Sequence, residues 1–327
     1  MGKGFEGYYV KCVDSSFAVA VIFGRNNGKG DKSSFVQVIT KERSYWFGFE
    51  YSECMMSRKN FVVSIGKSKE NRVCRKGMVL DLDDGQVQIK CELTFGEFTP
   101  IKYDAMGPFK FLPFMECRHR VESMNHRVSG NFEIRDSAIQ GQSNGRQDAA
   151  PTREDEEKFI KRSGLSEKIE HSFSDADGYI EGDRGKSFPR KYFWSQSNSF
   201  KEFPNLSVAA MCARIPYFGI RFRGTINFVY FEGREYRLAT YLGARVKVFK
   251  KERLVIVQGF GRRKKRLEVV GSNIEQNMKE LYAPAKGSMS RIIKESIIAN
   301  VSYKFSIGKR ILFDTSCENS AIEFGDR

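Results

Sequence analysis

The later half of this 327-residue chain carries acids and aromatics at alternating positions. Tyr179, Glu181 and Asp183 are spaced two residues apart, which places their side chains on one face of an extended strand. A carboxyl group in an apolar pocket stays protonated, because burial disfavours its charged form, and it can then act as a general acid. The alternative is structural, with Glu181 and Asp183 accepting hydrogen bonds from backbone or arginine where two domains meet.

A second alternating set follows at Trp194, Gln196 and Asn198. These three side chains share a strand face of their own. Aligned aromatic and amide groups suit the wall of a binding pocket. We therefore predict that these three residues and Tyr179 bind substrate, and that the two acids of the first set are catalytic.

Residues 113–126 form an earlier stretch that contains acids and a histidine. His119 lies on a mostly apolar face, so a hydrogen-bonded core histidine and a proton shuttle are both compatible with it. Glu116 lies on the opposite face among arginines, where a salt-bridged outer surface and a catalytic acid both fit. We predict that His119 and Glu116 are further catalytic residues.

Residues 173–184 imitate a calcium-binding loop but lack its essential ligands. The first ligand position holds Phe173, and the twelfth, which requires a bidentate carboxylate, holds Arg184. The histidines and cysteines of the chain never fall at metal-ligand spacing. The sequence therefore predicts no metal site, and it contains no dinucleotide-binding fingerprint.

The chain is strongly basic, with a net charge of +15 and an isoelectric point near 9.4. Such a charge attracts polyanions, which include anionic membrane surfaces and nucleic acids. The densest basic run, residues 262–266, is predicted to be a solvated hairpin tip. Peripheral contact with an anionic membrane through the basic surface is compatible with this charge, whereas nucleic acid is not the expected partner.

The seven cysteines are scattered along the chain, and no C-x-x-C pair occurs. No apolar stretch approaches the roughly 20 residues of a membrane-spanning helix. The N-terminus also lacks the apolar core of a signal peptide. These features predict reduced thiols and a cytoplasmic location, with peripheral association at a membrane compatible with both.

Strand patterns dominate the sequence. Residues 220–230 alternate between apolar and polar side chains and are followed by a turn at 232–234, which predicts a hairpin. Further hairpins are predicted around residues 83–85, 261–266 and 308–309. The better helix candidates are residues 153–161 and 273–282. Many short strands with glycine-rich turns predict an all-β barrel or sandwich.

Between residues 137 and 172 the composition becomes polar and then mixed in charge. Glycine, serine and asparagine followed by mixed charge are typical of a linker or insertion. The predicted division is therefore an N-terminal β domain at 1–136 and a C-terminal β domain at 173–327.

Two blocks of the sequence resemble signature blocks of the tocopherol cyclase-like family. The first reads Pro-Phe-Met-Glu-Cys-Arg-His at 113–119, and the second reads Gly-Tyr-Ile-Glu-Gly-Asp-Arg at 178–184, with Trp-Ser-Gln-Ser-Asn at 194–198. Ala-Arg-Ile-Pro at 213–216 also matches, which makes Arg214 a further substrate-binding candidate. The chain looks like a prokaryotic-type relative of the plant enzymes over nearly its whole length.

The resemblance implies two lipocalin-like (calycin-type) antiparallel β-barrel domains with few short helices. It also implies an intramolecular lyase or isomerase that closes an ether ring on a hydrophobic prenylated substrate by acid catalysis in an apolar barrel pocket. The implied ligand is a hydrophobic small molecule, prenylquinol-like or another lipid. The implied chemistry requires no metal or redox cofactor.

The chain departs from the family pattern at three arginines. Arg184 stands where the family usually has tryptophan, and Arg118 and Arg120 stand where it tends to have tyrosine and glycine. A charge in an apolar cavity is costly unless it is paired, so these positions face solvent or the pocket has changed its ligand. Two other functions therefore stay open: a non-catalytic carrier of a lipid or other apolar metabolite, and a basic protein that binds membrane surfaces or nucleic acid.

Overall fold

The computed structural model describes residues 4–28, 32–113, 115–136, 167–217, 219–285 and 287–326. Over these ranges the chain is built from antiparallel strands and short 3₁₀ helices, which confirms the all-β prediction. The predicted helix at 153–161 lies outside the described residues. Most of the predicted linker, from 137 to 166, lies outside them as well.

Within the described ranges, eleven strands form the first sheet: β1 (Phe5–Val13), β2 (Ala18–Asn27), β3 (Lys32–Ile39), β4 (Ser44–Glu50), β5 (Met55–Ser57), β6 (Val62–Ile65), β7 (Asn71–Cys74), β8 (Gly77–Asp83), β9 (Val87–Phe95), β10 (Cys117–Asp136) and β11 (Glu167–Gly185). Their order across the sheet is β4-β3-β2-β1-β11-β10-β9-β8-β7-β6-β5. Strand β11 therefore lies at the centre, with β1 on one side and β10 on the other.

The remaining strands of the described chain form the second sheet: β12 (Lys191–Ser197), β13 (Ser207–Tyr217), β14 (Ile220–Phe231), β15 (Arg234–Ala239), β16 (Arg245–Lys250), β17 (Arg253–Gln258), β18 (Lys265–Ser272), β19 (Lys279–Ala285), β20 (Ser288–Ile307) and β21 (Arg310–Asp326). Their order is β15-β14-β13-β12-β21-β20-β18-β17-β16, with β19 paired to β20 outside this path. The chain enters this sheet at β12, next to the last strand β21.

The hairpins predicted from alternation are confirmed. Strands β14 and β15 pair antiparallel, as do β8 with β9, β17 with β18, and β20 with β21. The turn after β14 contains Glu232 at φ 50° and Gly233 at φ 72°. Because glycine adopts positive φ without a Cβ clash, Gly233 suits this tight connection.

The helix predicted at 273–282 is wrong. The 3₁₀ helices of the described chain are short: Tyr51–Glu53, Gly107–Phe111, Thr240–Leu242, Gly261–Arg263 and Ile274–Asn277. Beyond the last of these the chain extends into β19, where Leu281 and Ala283 are buried and Tyr282 between them is exposed. Pairing with β20 buries one face of this segment, and that tertiary contact outweighs its local helical pattern.

Each sheet curls around its own apolar core. Strand β3 contacts β6 although the two lie near opposite ends of the first sheet, and β15 contacts β17 in the same way in the second. One apolar core cluster fills the space enclosed by the first sheet, and another fills the space enclosed by the second. A third cluster lies between the sheets and includes Tyr9, Tyr179, Trp194 and Phe228. The two sheets therefore pack against each other through a shared apolar cluster that contains these four aromatic side chains.

The two sheets divide the chain after Gly185, because all of β11 pairs within the first sheet. The predicted second domain begins earlier, at residue 173. The domain boundaries at 136 and 173 stay predictions. What the pairing establishes is that residues from both sides of the predicted linker build one sheet.

All seven cysteines are free thiols. Their distribution follows the cores, with Cys12 and Cys91 buried in the first sheet and Cys212 and Cys317 buried in the second. None of the helices that the structure describes is long and apolar enough to cross a membrane.

Candidate active site

A cavity of about 220 Å³ lies between the two sheets. Its wall is mostly apolar, and both sheets contribute to it. The apolar and aromatic part of the wall includes Phe5, Tyr9, Ile22, Met106, Phe188, Trp194, Ile226 and Ile293. Acidic side chains and one histidine interrupt this wall, and they are the groups that could do chemistry there.

Glu181 lies on the central strand β11 and is 5% exposed. Its Oε2 atom accepts hydrogen bonds from the Tyr179 hydroxyl at 2.5 Å and from the Trp194 indole N–H at 3.1 Å. Burial raises the pKa of Glu181 to about 7, although the His119 charge and these two hydrogen bonds oppose the rise. Near neutral pH this carboxyl group can therefore hold or release a proton.

His119 lies on β10, directly opposite Asp183 on β11. Its Nδ1 atom is 3.2 Å from Oδ1 of Asp183, and its Nε2 atom is 3.6 Å from Oε2 of Glu181. Burial lowers the pKa of His119, but the two nearby acids outweigh burial and raise that pKa to about 9. The imidazole is therefore positively charged at neutral pH, and its Nε2 atom has no hydrogen-bond partner within the described chain.

The second sheet supplies two more acids, Glu295 on β20 and Glu323 on β21. Tyr9 of the first sheet donates a hydrogen bond to Oε1 of Glu295 at 2.7 Å. Burial raises the pKa of Glu295 to about 8. Burial also raises the pKa of Glu323 well above its ordinary value, and the charges of Asp183 and Glu181 add to that effect. Glu295 is therefore mostly protonated at neutral pH, and burial favours the protonated form of Glu323 as well.

Glu323 combines burial with a free acceptor. It is 8% exposed, and its Oε1 atom has no hydrogen-bond partner among the described residues. A buried carboxyl group without a partner is costly unless it is neutral or meets a ligand. It lines the cavity on the second sheet, whereas Glu181 lines it on the first. The cavity thus has a protonated acid on one wall and a titratable acid on the other.

A comparison with protein families identifies part of this chain. Residues 166–326 match the model described as tocopherol cyclase-like. This stretch belongs to the tocopherol cyclase-like family. The match contains β11, with its acids, and the whole second sheet, so the resemblance seen in the sequence is confirmed over residues 166–326.

Several solved structures resemble this chain in fold. CghA shares 9% identity over 99% of this chain and 89% of its own, with a TM-score of 0.54. A putative AttH from Nitrosomonas europaea shares 9% identity over 99% and 93% of the two chains, with a TM-score of 0.50. Kievitone hydratase from Nectria haematococca shares 8% over 98% and 89%, also with a TM-score of 0.50. At such low identities the likeness shows the fold alone.

The search against curated proteins found no match.

Several residues that the sequence predicted for a site do line the cavity. Glu181, Asp183, His119 and Trp194 meet there, and Glu116 lies at its edge. Burial raises the pKa of Glu116, although Arg190 opposes the rise. Asp183 also accepts a hydrogen bond from the Cys117 thiol at 3.4 Å.

Tyr179 is fully buried behind Glu181 and does not line the cavity. Its hydroxyl acts on the site through the hydrogen bond to that carboxyl group. Contact of Tyr179 with substrate stays a prediction, and what the structure shows is a hydrogen bond that orients the Glu181 carboxyl group.

Gln196, Asn198 and Arg214 lie away from the cavity. Gln196 donates a hydrogen bond to Asn198 at 3.0 Å, and Asn198 donates to the backbone oxygen of Gly178 at 2.9 Å. Asn198, which directly follows β12, therefore links the second sheet to β11, and Gln196 hydrogen-bonds to it. Arg214 is exposed on β13, directly opposite Arg223 on β14. Substrate contact by these three residues stays a prediction that their positions do not favour.

The sequence did not indicate Glu295 or Glu323. The feature that could have revealed them is an acid at a position where the alternation of the strand predicts a buried side chain. Glu295 has the same parity as Ile293 and Ile297, and Glu323 interrupts the apolar run Ala-Ile-Glu-Phe at 321–324. A carboxyl group at such a position must be buried, so it deserves a chemical explanation.

His119, Glu181 and Asp183 offer donor atoms that all lie within 4.8 Å of one another. This is the one such group of three among the described residues, and it could hold a divalent cation by distance alone. Oε2 of Glu181 already accepts two hydrogen bonds, and Oδ1 of Asp183 contacts His119 and Cys117. The expected absence of a metal site stays a prediction. The calcium-loop imitation at 173–184 lies within β11.

Proposed function

We propose that this protein catalyses an acid-initiated ring closure, or a related isomerisation, of a hydrophobic substrate that carries an alkene and a hydroxyl group. The observation that supports it is the buried, protonated carboxyl group of Glu323, which faces an apolar cavity across from Glu181. The family match supports cyclase-like chemistry in general. The prenylated substrate and the paired lipocalin-like barrels belong to the same proposal.

In the proposed first step, Glu323 donates its proton to the less substituted carbon of the alkene. A C–H bond forms, the π bond breaks, and a tertiary carbocation remains. Aromatic faces stabilise such a cation by the same quadrupole attraction that binds ammonium groups. Trp194 lies directly opposite Glu323 in the β12–β21 pair, and its ring packs edge to face with that of Tyr9 with centroids 5.4 Å apart.

In the second step, the substrate hydroxyl oxygen attacks the cation and forms the ether bond. Its proton passes to the Glu181 carboxylate, which the protonated His119 stabilises at 3.6 Å. Return of this proton to Glu323 completes the cycle. The product is an isomer of the substrate, so no oxidant, reductant or co-reactant is consumed.

The cavity volume limits the reacting part of the substrate. An engineered cavity of about 150 Å³ holds one benzene ring. A cavity of about 220 Å³ therefore accommodates one aromatic ring with a short branched chain. A longer prenyl tail would extend out of the cavity mouth. A small cavity holds the alkene and the hydroxyl group of the substrate close together, which favours cyclisation over hydration.

Incubation of the purified protein with a prenylated hydroquinone in D₂O tests the proposal. We expect a chroman with one deuterium at the protonated carbon, detected by mass spectrometry, and loss of at least about a hundredfold in rate for Glu323→Gln, as for removal of other general acids. Glu318→Gln is the matched control, because Glu318 is an exposed acid on the same strand. If no prenylated hydroquinone gives chroman or deuterium exchange, the catalytic proposal fails.

A non-catalytic carrier of an apolar metabolite is the second candidate function. The apolar wall of the cavity favours it, because enclosure alone is enough for binding. A lipid that copurifies with the protein and returns unchanged after incubation would favour the carrier over the cyclase.

Peripheral contact with an anionic membrane is a further proposal, supported by one exposed aromatic residue. Phe260 is 83% exposed in the β17–β18 connection, immediately before the exposed basic residues Arg262, Arg263 and Lys264. An aromatic side chain beside several cations is a composition that favours the membrane interface. This hairpin would hold the protein on a surface from which a lipid substrate is drawn.

A further inference from the structure

Four charged side chains form one row across the first sheet. Arg118 on β10 is directly opposite Arg184 on β11, Arg184 is opposite Glu6 on β1, and Glu6 is opposite Arg25 on β2. Because directly opposed residues project from the same face of a sheet, these side chains are neighbours. Arg58 joins the row from outside these strands through an ion pair with Glu6.

The single acid of the row is already fully engaged. Glu6 pairs with Arg25 at 2.8 Å through one carboxylate oxygen and with Arg58 through the other. Arg118 donates to the backbone oxygens of Lys110 at 2.8 Å and Leu112 at 3.0 Å, which orient its guanidinium group without neutralising it. The basic row therefore holds more positive charge than its own carboxylate can balance.

Arg184 is the clearest case of unbalanced charge. It makes no hydrogen bond or ion pair with any residue that the structure describes, although it is partly buried. Burial lowers the pKa of Arg184, and the charges of Arg58, Arg118 and Arg120 lower it further, whereas the charge of Glu6 opposes the fall. Like charges in direct opposition are destabilising, and the fold keeps this arrangement without an internal partner.

The three arginines line two adjoining cavities. Arg58, Arg118 and Arg184 border both a cavity of about 390 Å³ and one of about 290 Å³. The smaller cavity shares Phe5 and Met115 with the apolar cavity between the sheets. A positively charged space therefore adjoins the apolar one, around the ends of β1 and β10.

We propose that Arg58, Arg118 and Arg184 bind the phosphate or pyrophosphate group of a ligand. Guanidinium groups match the oxygens of phosphate in paired, charge-assisted hydrogen bonds, and several guanidinium groups at one point favour an anion with more than one negative charge. The group can belong to free pyrophosphate or to the head of a prenyl diphosphate whose tail enters the apolar cavity. This inference does not rest on the proposed cyclisation.

Isothermal titration calorimetry at constant ionic strength tests the site with inorganic pyrophosphate, geranyl diphosphate and geraniol. We expect pyrophosphate to bind wild type and to bind Arg184→Gln about tenfold or more weakly, as for loss of a charged hydrogen bond. Arg263→Gln, which removes an equal charge from the exposed hairpin, should bind like wild type. Glu323→Gln should also bind normally, which separates this site from the proposed acid.

The source of the phosphate group follows from the other two ligands. If geranyl diphosphate binds much more tightly than pyrophosphate and geraniol binds weakly, the ligand of the site is an amphiphile. If geranyl diphosphate and pyrophosphate bind with equal affinity, the ligand is a free anion. Absence of pyrophosphate binding to wild type overturns the proposal. An equal loss of affinity in Arg184→Gln and Arg263→Gln also overturns it, because general charge attraction would then explain the binding.

Thermal unfolding without ligand gives an independent readout. Removing one of several repelling charges should raise the melting temperature of Arg184→Gln, whereas a structural arginine would lower it when removed. Pyrophosphate should then stabilise wild type more than the variant. A lower melting temperature for Arg184→Gln would contradict a ligand-binding role.

Discussion

Glu295 and Glu323 lie directly opposite each other on β20 and β21 and are both almost fully buried. Two opposed carboxylates would repel if both were charged, and burial adds a further penalty for charge. The second sheet therefore places two protonated acids side by side next to the cavity. This pair makes the stability of the protein depend on pH.

Glu295→Gln should flatten the fall in stability with rising pH. The pKa of Glu295 is about 8 in the folded protein and near 4.5 when unfolded, so its contribution is full below pH 4.5 and is lost as the pH rises through 8. Urea unfolding at several pH values should show wild type losing up to about 1.4 kcal/mol per pH unit more than the variant. Glu318→Gln, on an exposed position, should keep the wild-type slope. If the stability of Glu295→Gln fell with pH as steeply as that of wild type, Glu295 would have to ionise freely in the folded protein.

Tyr9→Phe should destabilise the protein by about 1–3 kcal/mol, because it leaves a buried carboxyl group without its hydrogen-bond donor. Tyr9 donates to Glu295 from the opposite sheet at 2.7 Å. Denaturant unfolding at pH 6 measures the loss. The double variant Tyr9→Phe with Glu295→Gln should show that the two effects are not additive. Full additivity would mean that the two side chains do not interact.

Trp194→Phe should shift the pH dependence of the cyclisation proposed above. The Trp194 indole donates to Glu181 and helps to lower the pKa of that acid, so its loss should raise the pKa by about one unit. Because the ionised Glu181 accepts the substrate proton, the rising limb of the rate profile should move to higher pH. Trp46→Phe is the control, since the Trp46 ring stacks on Phe35 and its indole donates no hydrogen bond to an acid of the described residues. An unmoved limb would exclude Glu181 as the proton acceptor.

Phe260→Ser should weaken binding to anionic vesicles by about tenfold or more, because burying a phenylalanine contributes roughly 1.5–3 kcal/mol. Cosedimentation with phosphatidylserine vesicles measures this binding, and neutral phosphatidylcholine vesicles should bind little. Met55→Ser is the control, since Met55 is an exposed apolar residue on the first sheet. Equal binding of Phe260→Ser and wild type would place the contact elsewhere.

Local alternation predicted the acid set on β11 because the period of a strand is a property of neighbouring residues. Glu181, Asp183 and Trp194 reach the cavity for that reason. The same rule does not distinguish a cavity wall from a contact between the sheets. Gln196 and Asn198 make hydrogen bonds outside the cavity wall, and their contact with substrate stays a prediction.

The pairing of Tyr9 with Glu295 is invisible to local patterns because 286 positions separate the two residues. The same holds for the row of Arg118, Arg184 and Glu6, which comes from three segments of the chain. The sequence shows that Arg118 and Arg184 depart from the family pattern. Only the register of the sheet shows that these two arginines lie opposite each other.

The central place of β11 has a consequence for how the chain assembles. Without residues 167–185, β1 and β10 would each present an unpaired edge, since β11 is the strand that joins them. During synthesis the first 136 residues must therefore wait for a later segment before their hydrogen bonding is complete, and unpaired edges are prone to aggregate. We expect a truncated N-terminal half to aggregate rather than to fold as an independent unit.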